Sequence, residues 1–295
     1  MKNLFYLCCA ASLFFACNNN KAQTTTTPEA ERTSTPSTDS IESKTTGTAS
    51  SAAEIMQRKQ VPILCYHHIV DAPSVGKNSA GYTVTVSAFK EQMKALADSG
   101  YKSVSADQLY AYLNYNEPLP EKPVMISYDD TDEEQFSIAK PEMDKYGFKG
   151  VYFIMTISIG RPRYMSKEQI KQLSDEGHTI ASHTWDHSRF DRYAYENTKD
   201  IGGRKKVVND YDLQLADTKK KLEEITGKKV EHFAYPFGIW DAKGIPELQK
   251  RGYKTAYQLA TKRDSLQPLF TARRILVAPQ WGAQGLIKVM NSSFK

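Results

Sequence analysis

The alternation of two kinds of segment constrains the fold of this chain more than any other feature. From residue 61 onward, short apolar runs bounded by turn residues or charges alternate with longer amphipathic segments. The short runs are typical of buried strands and the longer segments of helices. Strands that are separated by helices pair in parallel and are covered by those helices. With seven or so such units in roughly 235 residues, we predict an α/β fold, a distorted (β/α)7-type barrel of parallel strands with outer helices.

The apolar pattern locates these elements along the chain. Strands are predicted over residues 61–70, 124–128, 151–155, 179–182, 232–235, 254–258 and 270–277. Helices are predicted over residues 87–98, 133–146, 166–175, 207–225 and 242–251. Gly100 and Gly147 follow two of these helices as stop signals. No glycine-rich phosphate loop follows any predicted strand, which argues against a nucleotide-binding enzyme.

The N-terminus carries an export signal. Lys2 precedes an apolar run over residues 4–16, which is too short to span a bilayer but has the length of a secretory signal. A small residue before Cys17 and a polar run after it resemble a bacterial lipoprotein processing site. We therefore expect residues 1–16 to be a lipoprotein signal peptide and Cys17 to carry a lipid. The protein would then be an exported lipoprotein of the cell envelope, attached to a membrane and located at the outer membrane or facing the periplasm.

Plain secretion is the alternative, because Phe15 is bulky where lipoprotein sites usually carry a small residue. Cys8 and Cys9 leave with the signal in either case. Cys65 is then the one cysteine of the folded part if Cys17 is lipidated, so no intrachain disulfide is expected.

Composition separates a tether from a folded domain. Residues 17–56 are rich in Thr, Ser and Pro and have too few apolar residues to offset the entropy of folding. They are predicted to be a disordered linker, and residues 57–295 are predicted to be a single catalytic domain. The whole chain has 39 Lys and Arg against 34 Asp and Glu, a net charge of +5. This small excess lacks the basic stripe of nucleic-acid-binding proteins, so no nucleic-acid partner is expected.

Two adjacent carboxylates occupy the position where parallel barrels collect catalytic groups. Asp129 and Asp130 follow directly on the predicted strand 124–128, at its carboxyl end. Neighbouring side chains of an extended segment point to opposite sides, so one carboxylate could bind a metal while the other faces a substrate. The alternative is structural, since either aspartate or Thr131 could cap the helix that follows.

A pair of histidines favours the metal interpretation. His183 and His187 follow the predicted strand 179–182, and their spacing places two imidazoles on one side if the loop forms a helical turn. Two histidines and one carboxylate leave an open coordination position for water, which is typical of catalytic zinc. Each histidine could separately be an exposed loop residue. Zn²⁺ is the expected cofactor, and iron, nickel or cobalt are the alternatives for such a divalent metal site.

These residues resemble the motifs of the polysaccharide deacetylases of carbohydrate esterase family 4, the NodB homology family, over most of residues 61–276. Residues 127–131 read Ser-Tyr-Asp-Asp-Thr, similar to the family's Thr-Phe-Asp-Asp-Gly, and residues 183–187 fit its His-Ser/Thr-x-x-His motif. The resemblance implies a metal-dependent hydrolase that removes N-acetyl groups from an N-acetylglucosamine-containing polysaccharide. It also implies that Asp129 is the general base and that Asp130, His183 and His187 bind the metal.

The family's third motif, Arg-x-Pro-Tyr, occurs here as Ala-Tyr-Pro-Phe-Gly over residues 234–238. Replacement of the arginine by alanine is similar to the poly-N-acetylglucosamine deacetylase branch, and Arg273 or Arg274 is a candidate to replace it. The resemblance implies that the backbone N–H of Phe237 stabilises the oxyanion. Tyr235 and Trp240 are candidates to contact sugar rings, although aromatic residues also fill loop clusters.

The general acid is not where the family usually has it, because no histidine follows residue 270. The sequence Cys-Tyr-His-His-Ile over residues 65–69 resembles an N-terminal motif of poly-N-acetylglucosamine deacetylases. We therefore predict His67 as the general acid, with His68 as its rival. His178 and His232 lie at strand starts and are expected to be buried structural residues.

Two other functions are kept open. An O-acetyl esterase that acts on a xylan-like polymer would use the same metal chemistry. A non-catalytic carbohydrate-binding lipoprotein is motivated by Ala234 and by the missing C-terminal histidine.

Overall fold

The structure is a computed structural model that describes residues 47–71, 80–195, 198–200, 205–207 and 210–294. The predicted signal peptide and Cys17 lie outside the described residues, as does most of the predicted linker. Among the residues it describes, no helix combines the length and the apolar character needed to cross a membrane.

Parallel strands form the central sheet, in the order β12-β11-β10-β7-β6-β5-β1-β13, and β4 pairs with β5 beside this path. A parallel pair, β2–β3, and an antiparallel hairpin, β8–β9, lie apart from it. The described strands are β1 (Ile63–Tyr66), β2 (His68–Ile69), β3 (Thr83–Val84), β4 (Lys102–Ser103), β5 (Pro123–Tyr128), β6 (Gly150–Ile154), β7 (Thr179–Ser182), β8 (Thr198–Asp200), β9 (Lys205–Val207), β10 (His232–Ala234), β11 (Thr255–Gln258), β12 (Ala272–Arg273) and β13 (Ile275–Leu276).

Helices lie between the strands of the central sheet along the chain. Side chains of Thr85, Ser105 and Ser166 accept hydrogen bonds from the first turns of α2, α3 and α5, which explains where these helices begin. π-helical segments Gln135–Ala139 and Asp212–Asp217 lead into α4 and α6. The α-helices are α1 (Ala52–Gln57), α2 (Val86–Asp98), α3 (Ala106–Tyr115), α4 (Lys140–Asp144), α5 (Lys167–Asp175), α6 (Thr218–Thr226), α7 (Ile245–Lys250) and α8 (Ala283–Ser293).

One C-terminal segment nearly closes the sheet into a barrel. β12 pairs with β11 at one end of the sheet, and β13 pairs with β1 at the other end. Only Arg274 separates β12 from β13 in sequence. If β12 and β13 are counted as one kinked strand, the nearly closed barrel has seven parallel strands in its main path. The predicted (β/α)7-type barrel with outer helices is therefore confirmed.

The alternation of side chains along the strands decides what faces the barrel interior. On β5, Met125 belongs to the interior cluster, whereas Val124 and Ile126 pack on the cluster under the helices. Ser127 and Asp129 continue the interior series of β5. By the same alternation, Cys65 and His67 continue the interior series of β1, which begins at Ile63. Polar residues therefore occupy the carboxyl end of an otherwise apolar interior.

The predicted linker extends too far toward the folded domain. Residues 52–57 form α1, and the side chain of Ser51 and that of Glu54 cap each other's backbone N–H groups. Ile55 is only 2% exposed and packs in the interior cluster. The prediction of disorder up to residue 56 is therefore wrong. The capping box, the buried Ile55 and the hydrogen bonds from Arg58 to the carbonyls of Tyr112 and Leu113 hold this short helix against the folded domain.

Other boundaries also differ from the prediction. The predicted strand 61–70 is divided at His67 into β1 and β2, and the predicted helix 207–225 begins later because Val207 ends β9. The pattern did not reveal α3, whose apolar positions are mixed with tyrosines, or α8, which packs against α2.

Candidate active site

A buried ion pair lies at the carboxyl ends of the strands. Asp129 follows β5 and is 1% exposed. Arg274, at the kink between β12 and β13, donates two hydrogen bonds to Asp129, from Nη1 to Oδ1 at 2.5 Å and from Nη2 to Oδ2 at 2.7 Å. Arg274 thus supplies the guanidinium that is absent from position 234. Arg273 turns away and donates to the carbonyl of Ser293.

Charge keeps Asp129 ionised. Burial alone would raise its pKa, but Arg274 and His183 outweigh burial and lower the pKa to about 2. The carboxylate in turn holds the pKa of Arg274 above its usual value, although burial opposes this. Asp129 is therefore an anion at neutral pH, in a fixed orientation.

Asp130 turns toward the same space as Asp129. Its φ of 75° and that of Thr131, 74°, lie in the left-handed region, so the chain leaves the extended conformation here. The prediction that the two carboxylates diverge is therefore wrong. Asp130 Oδ1 lies 3.4 Å from Nε2 of both His183 and His187, and Asp129 Oδ2 lies 3.8 Å from Nε2 of His183.

The two histidines are brought together by a turn that is not helical. Thr184 and His187 have positive φ values, and the His187 N–H donates to the Thr184 hydroxyl. The rings of His183 and His187 lie 4.9 Å apart. Nδ1 of His183 donates to the carbonyl of Ala234 at 2.9 Å, which leaves Nε2 unprotonated in the neutral ring.

The chemistry of this cluster fits a divalent cation. Donor atoms of Asp130, His183 and His187 lie within 4.8 Å of one another. Asp130 Oδ1 and His183 Nε2 are buried without a hydrogen-bond partner among the described residues, and a cation between them would satisfy both. Burial and the proximity of His183 lower the pKa of His187 to about 4, which favours its neutral, metal-binding form.

His67 and His68 face different groups. Nε2 of His67 lies 3.9 Å from Asp129 Oδ2, and burial lowers the His67 pKa despite the nearby carboxylates. Nδ1 of His68 instead lies 3.0 Å from a carboxylate oxygen of Asp132. Of the two predicted rivals, His67 is therefore the one beside Asp129.

The third motif contributes one residue at the site and one in the core. Phe237 has a φ of 60°, is 60% exposed and places its ring 4.5 Å from that of His187. Tyr235 points the other way, because it shares the outward face of β10 with Phe233. Its ring is fully buried and its hydroxyl donates to the Phe270 carbonyl. The prediction that the Tyr235 ring contacts a sugar is therefore wrong. Trp240 is half-buried against the same cluster.

The structure also tests two structural roles: helix capping by Asp129, Asp130 or Thr131, and burial of His178 and His232. The π-helical segment that follows Asp130 has Glu134 at its N-cap without a side-chain hydrogen bond, and Thr131 Oγ1 accepts from the Met155 N–H. The aspartates are therefore not helix caps. His178 and His232 are buried and hydrogen-bonded, as predicted, but Nε2 of His178 has no hydrogen-bond partner among the described residues.

Residues that the sequence analysis did not select support the site. The Cys65 thiol lies 3.5 Å from Asp129 Oδ2. Gln135 Nε2 donates to the carbonyls of Asp129 and His67. The inward face of β1 was a usable signal for Cys65, whereas nothing in the sequence marked Gln135.

Comparisons with known proteins point to one family. Residues 116–256 match the family model described as polysaccharide deacetylase. The Bacillus subtilis (strain 168) protein YxkH is 27% identical over 223 residues, which are 75% of this chain and 72% of YxkH. The poly-beta-1,6-N-acetyl-D-glucosamine N-deacetylase of Staphylococcus aureus (strain MRSA252) is 25% identical over 195 residues, 64% of this chain and 65% of that protein.

A solved structure extends the likeness beyond residues 116–256. The Streptococcus pyogenes deacetylase PplD, in complex with acetate, superposes with a TM-score of 0.69 and covers 78% of this chain and 98% of its own. At 22% identity this likeness shows the fold alone. The family match and the sequence relatives agree: residues 116–256 match the polysaccharide deacetylase family, whose members are hydrolases, and the chain is similar to relatives that are named as polysaccharide deacetylases.

Proposed function

We propose that this protein removes N-acetyl groups from an N-acetylglucosamine-containing polysaccharide with the help of a divalent cation. The observation that carries the proposal is the ionised, Arg274-bound Asp129 directly beside the donor cluster of Asp130, His183 and His187. The name of the S. aureus relative, a poly-beta-1,6-N-acetyl-D-glucosamine N-deacetylase, supports this class of substrate.

Asp130, His183 and His187 would hold the cation, with Zn²⁺ the first choice for two imidazoles and one carboxylate. When bound, the cation would lower the pKa of a water molecule and polarise the acetyl carbonyl. The hydrogen bond from His183 to the Ala234 carbonyl fixes the tautomer that this role needs.

Asp129 is the proposed general base. Both of its oxygens are bound by Arg274, so the carboxylate cannot rotate away from the water that it must deprotonate. The Cys65 thiol contacts Oδ2 of Asp129, and the Gln135 side-chain amide donates to its backbone carbonyl, so both contacts restrict the same residue further.

His67 is the proposed general acid, because it alone of the two neighbouring histidines lies beside Asp129. Asp129, whose Oδ2 lies 3.9 Å from Nε2 of His67, would pass on the proton that it takes from the water. His67 would then deliver this proton to the departing amine of the sugar, and acetate would be the second product. The backbone N–H of Phe237 would stabilise the oxyanion that forms on the acetyl group. The exposed ring of Phe237, next to His187, and the partly exposed Trp240 offer apolar faces to a sugar.

The cellular setting is part of the proposal. A lipid on Cys17 and a flexible segment between it and α1 would anchor the catalytic domain in the cell envelope, within reach of a polymer. Palmitate labelling of the wild type and of Cys17→Ala in a bacterial host would test the anchor.

The test of the activity is an acetate-release assay with four polymers: poly-N-acetylglucosamine, chitooligosaccharide, peptidoglycan and acetylxylan. Appearance of free amine together with acetate on an N-acetylglucosamine polymer is the expected result. Acetate released from acetylxylan alone would instead establish an O-acetyl esterase. No release from any of the four by metal-loaded protein would contradict the proposed activity.

A further inference from the structure

We propose that His68, Asp132 and Glu134 form a second divalent-cation site, separate from the first and sharing no ligand with it. Their donor atoms, like those of the first cluster, all lie within 4.8 Å of one another. His68 belongs to β2, whereas Asp132 and Glu134 lie in the connection that follows β5. Two distant parts of the chain therefore bring one imidazole and two carboxylates to one point.

The spacing of the donor atoms matches that of a coordination shell. Nδ1 of His68 lies 3.0 Å from Asp132 Oδ2 and 3.4 Å from Glu134 Oε1. Ligands at about 2.0–2.2 Å from a metal stand roughly 3.0–3.5 Å from each other, depending on the coordination geometry. In the first cluster, Asp130 Oδ1 lies 3.4 Å from each histidine nitrogen, so the two clusters have the same internal scale.

The burial of Asp132 independently supports a bound cation. Asp132 is 1% exposed, and its Oδ2 atom makes no aligned hydrogen bond with any described residue, although the His68 nitrogen is only 3.0 Å away. A carboxylate oxygen taken out of water without an aligned donor is costly unless a cation occupies the space in front of it. This oxygen lies 3.0 Å from Nδ1 of His68, another donor atom of the cluster.

Two neighbouring side chains contact the proposed ligands, but neither places a positive charge close enough to Asp132 to balance its carboxylate. The ring of Tyr82 stacks on His68 with centroids 5.6 Å apart, which fixes the plane of the imidazole. Arg163 approaches Asp132 only to 4.0 Å, and its side chain is 72% exposed. A proton on His68 is the competing explanation for the cluster, because an imidazolium between two carboxylates also balances charge.

Donor chemistry distinguishes the two sites. The first cluster has two imidazoles and one carboxylate, whereas the second has one imidazole and two carboxylates. Oxygen-rich sets suit Mn²⁺ better than imidazole-rich sets do. When Mn²⁺ is the only metal offered, we therefore expect the second site to bind it more tightly than the first site does, whereas both sites should bind Zn²⁺.

The experiment counts metal in full-length protein that has been stripped with a chelator and dialysed against Mn²⁺ or Zn²⁺. The wild type should bind two equivalents of Zn²⁺ per chain. His68→Asn and Glu134→Gln should each bind one, and Asp130→Asn should also bind one because the second site stays intact. Glu133→Gln is the matched control, a neighbouring carboxylate outside the cluster, and should still bind two. Circular dichroism of each variant checks that it is folded.

One equivalent in the wild type, lost in Asp130→Asn, would overturn the second site and leave the imidazolium explanation. Two equivalents that persist in both His68→Asn and Glu134→Gln would overturn it as well. Neither outcome depends on deacetylation, since a second equivalent of metal can be counted whether or not acetate is released.

Discussion

The pairing of Asp129 with Arg274 illustrates how much a single contact determines here. Both side chains are almost fully buried, and each compensates the charge of the other through two parallel hydrogen bonds. Removing one partner from such a pair typically costs about 3–5 kcal/mol, since an uncompensated charge is left inside the protein. The same pair therefore bears on stability and on the orientation of the proposed base.

Arg274→Met should lower the free energy of unfolding at pH 7 by roughly 3–5 kcal/mol and remove most acetate release. The Asp129 pKa is lowered on folding, so the contribution of the pair is present above pH 4 and is lost as the pH falls toward 2. Urea unfolding at pH 7 and pH 3 should show a smaller deficit at pH 3. Arg273→Met is the control, and an equal loss of activity there would contradict the assignment.

Asp129→Asn should reduce the rate of acetate release by about 10²–10⁴-fold, because the amide cannot accept a proton. The variant should still bind metal, since Asp130, His183 and His187 remain. Metal analysis and the acetate assay on one preparation separate the two properties. Asp130→Asn is the contrasting variant, because it should lose both the metal at the first site and the activity. Full activity in Asp129→Asn would refute its role as the base.

His178 should make stability depend on pH in a region away from the active site. Its Nδ1 accepts the Gly150 N–H, and burial lowers its pKa to about 4. The unfolded chain, with an ordinary histidine pKa, binds a proton first, so stability should fall as the pH decreases from about 6.5 to 4, by up to about 3 kcal/mol. His178→Gln should flatten this part of the stability profile measured by urea unfolding. An unchanged slope would contradict the burial account.

Among secondary-structure elements, those with a strong apolar period were predicted well. β7 has the predicted bounds, β5 and α2 each begin one residue earlier than predicted, and β6 is shifted by one residue toward the N-terminus. The kink at Arg274 and the left-handed turn at Asp130 were not predicted, because both depend on contacts between segments far apart in sequence. The donor cluster could be predicted from residue types and strand ends, but the choice between Arg273 and Arg274 needed the fold.

α1 provides a test of where the folded domain begins. Ile55→Ala should lower the free energy of unfolding by about 2–4 kcal/mol, because Ile55 is buried in the interior cluster. Gln57→Ala, an exposed position of the same helix, should change it by less than about 0.5 kcal/mol. Thermal or urea denaturation distinguishes the two. Equal, negligible effects would mean that residues 52–57 are linker after all.

In the molecule as a whole, the barrel explains why residues from distant parts of the chain meet at one site. His67, Asp129 and His183 all follow inward-facing positions at the carboxyl ends of parallel strands, so strand order and side-chain alternation bring them together. Sequence alone predicted this convergence. Polymer choice was not predictable, because it depends on the shape of the loops around the site.

In the proposed reaction, a cation at Asp130, His183 and His187 enables deacetylation of an N-acetylglucosamine polymer. The most direct measurement is acetate release from poly-N-acetylglucosamine by one preparation before chelation, after chelation and after Zn²⁺ is restored. We predict that the untreated protein releases acetate and that chelation lowers the rate by at least about 10²-fold, which is the scale of a lost catalytic group. Restored Zn²⁺ should recover the rate in the wild type but not in Asp130→Asn. Undiminished acetate release from protein that elemental analysis shows to be metal-free would mean that the reaction does not need a cation at this site.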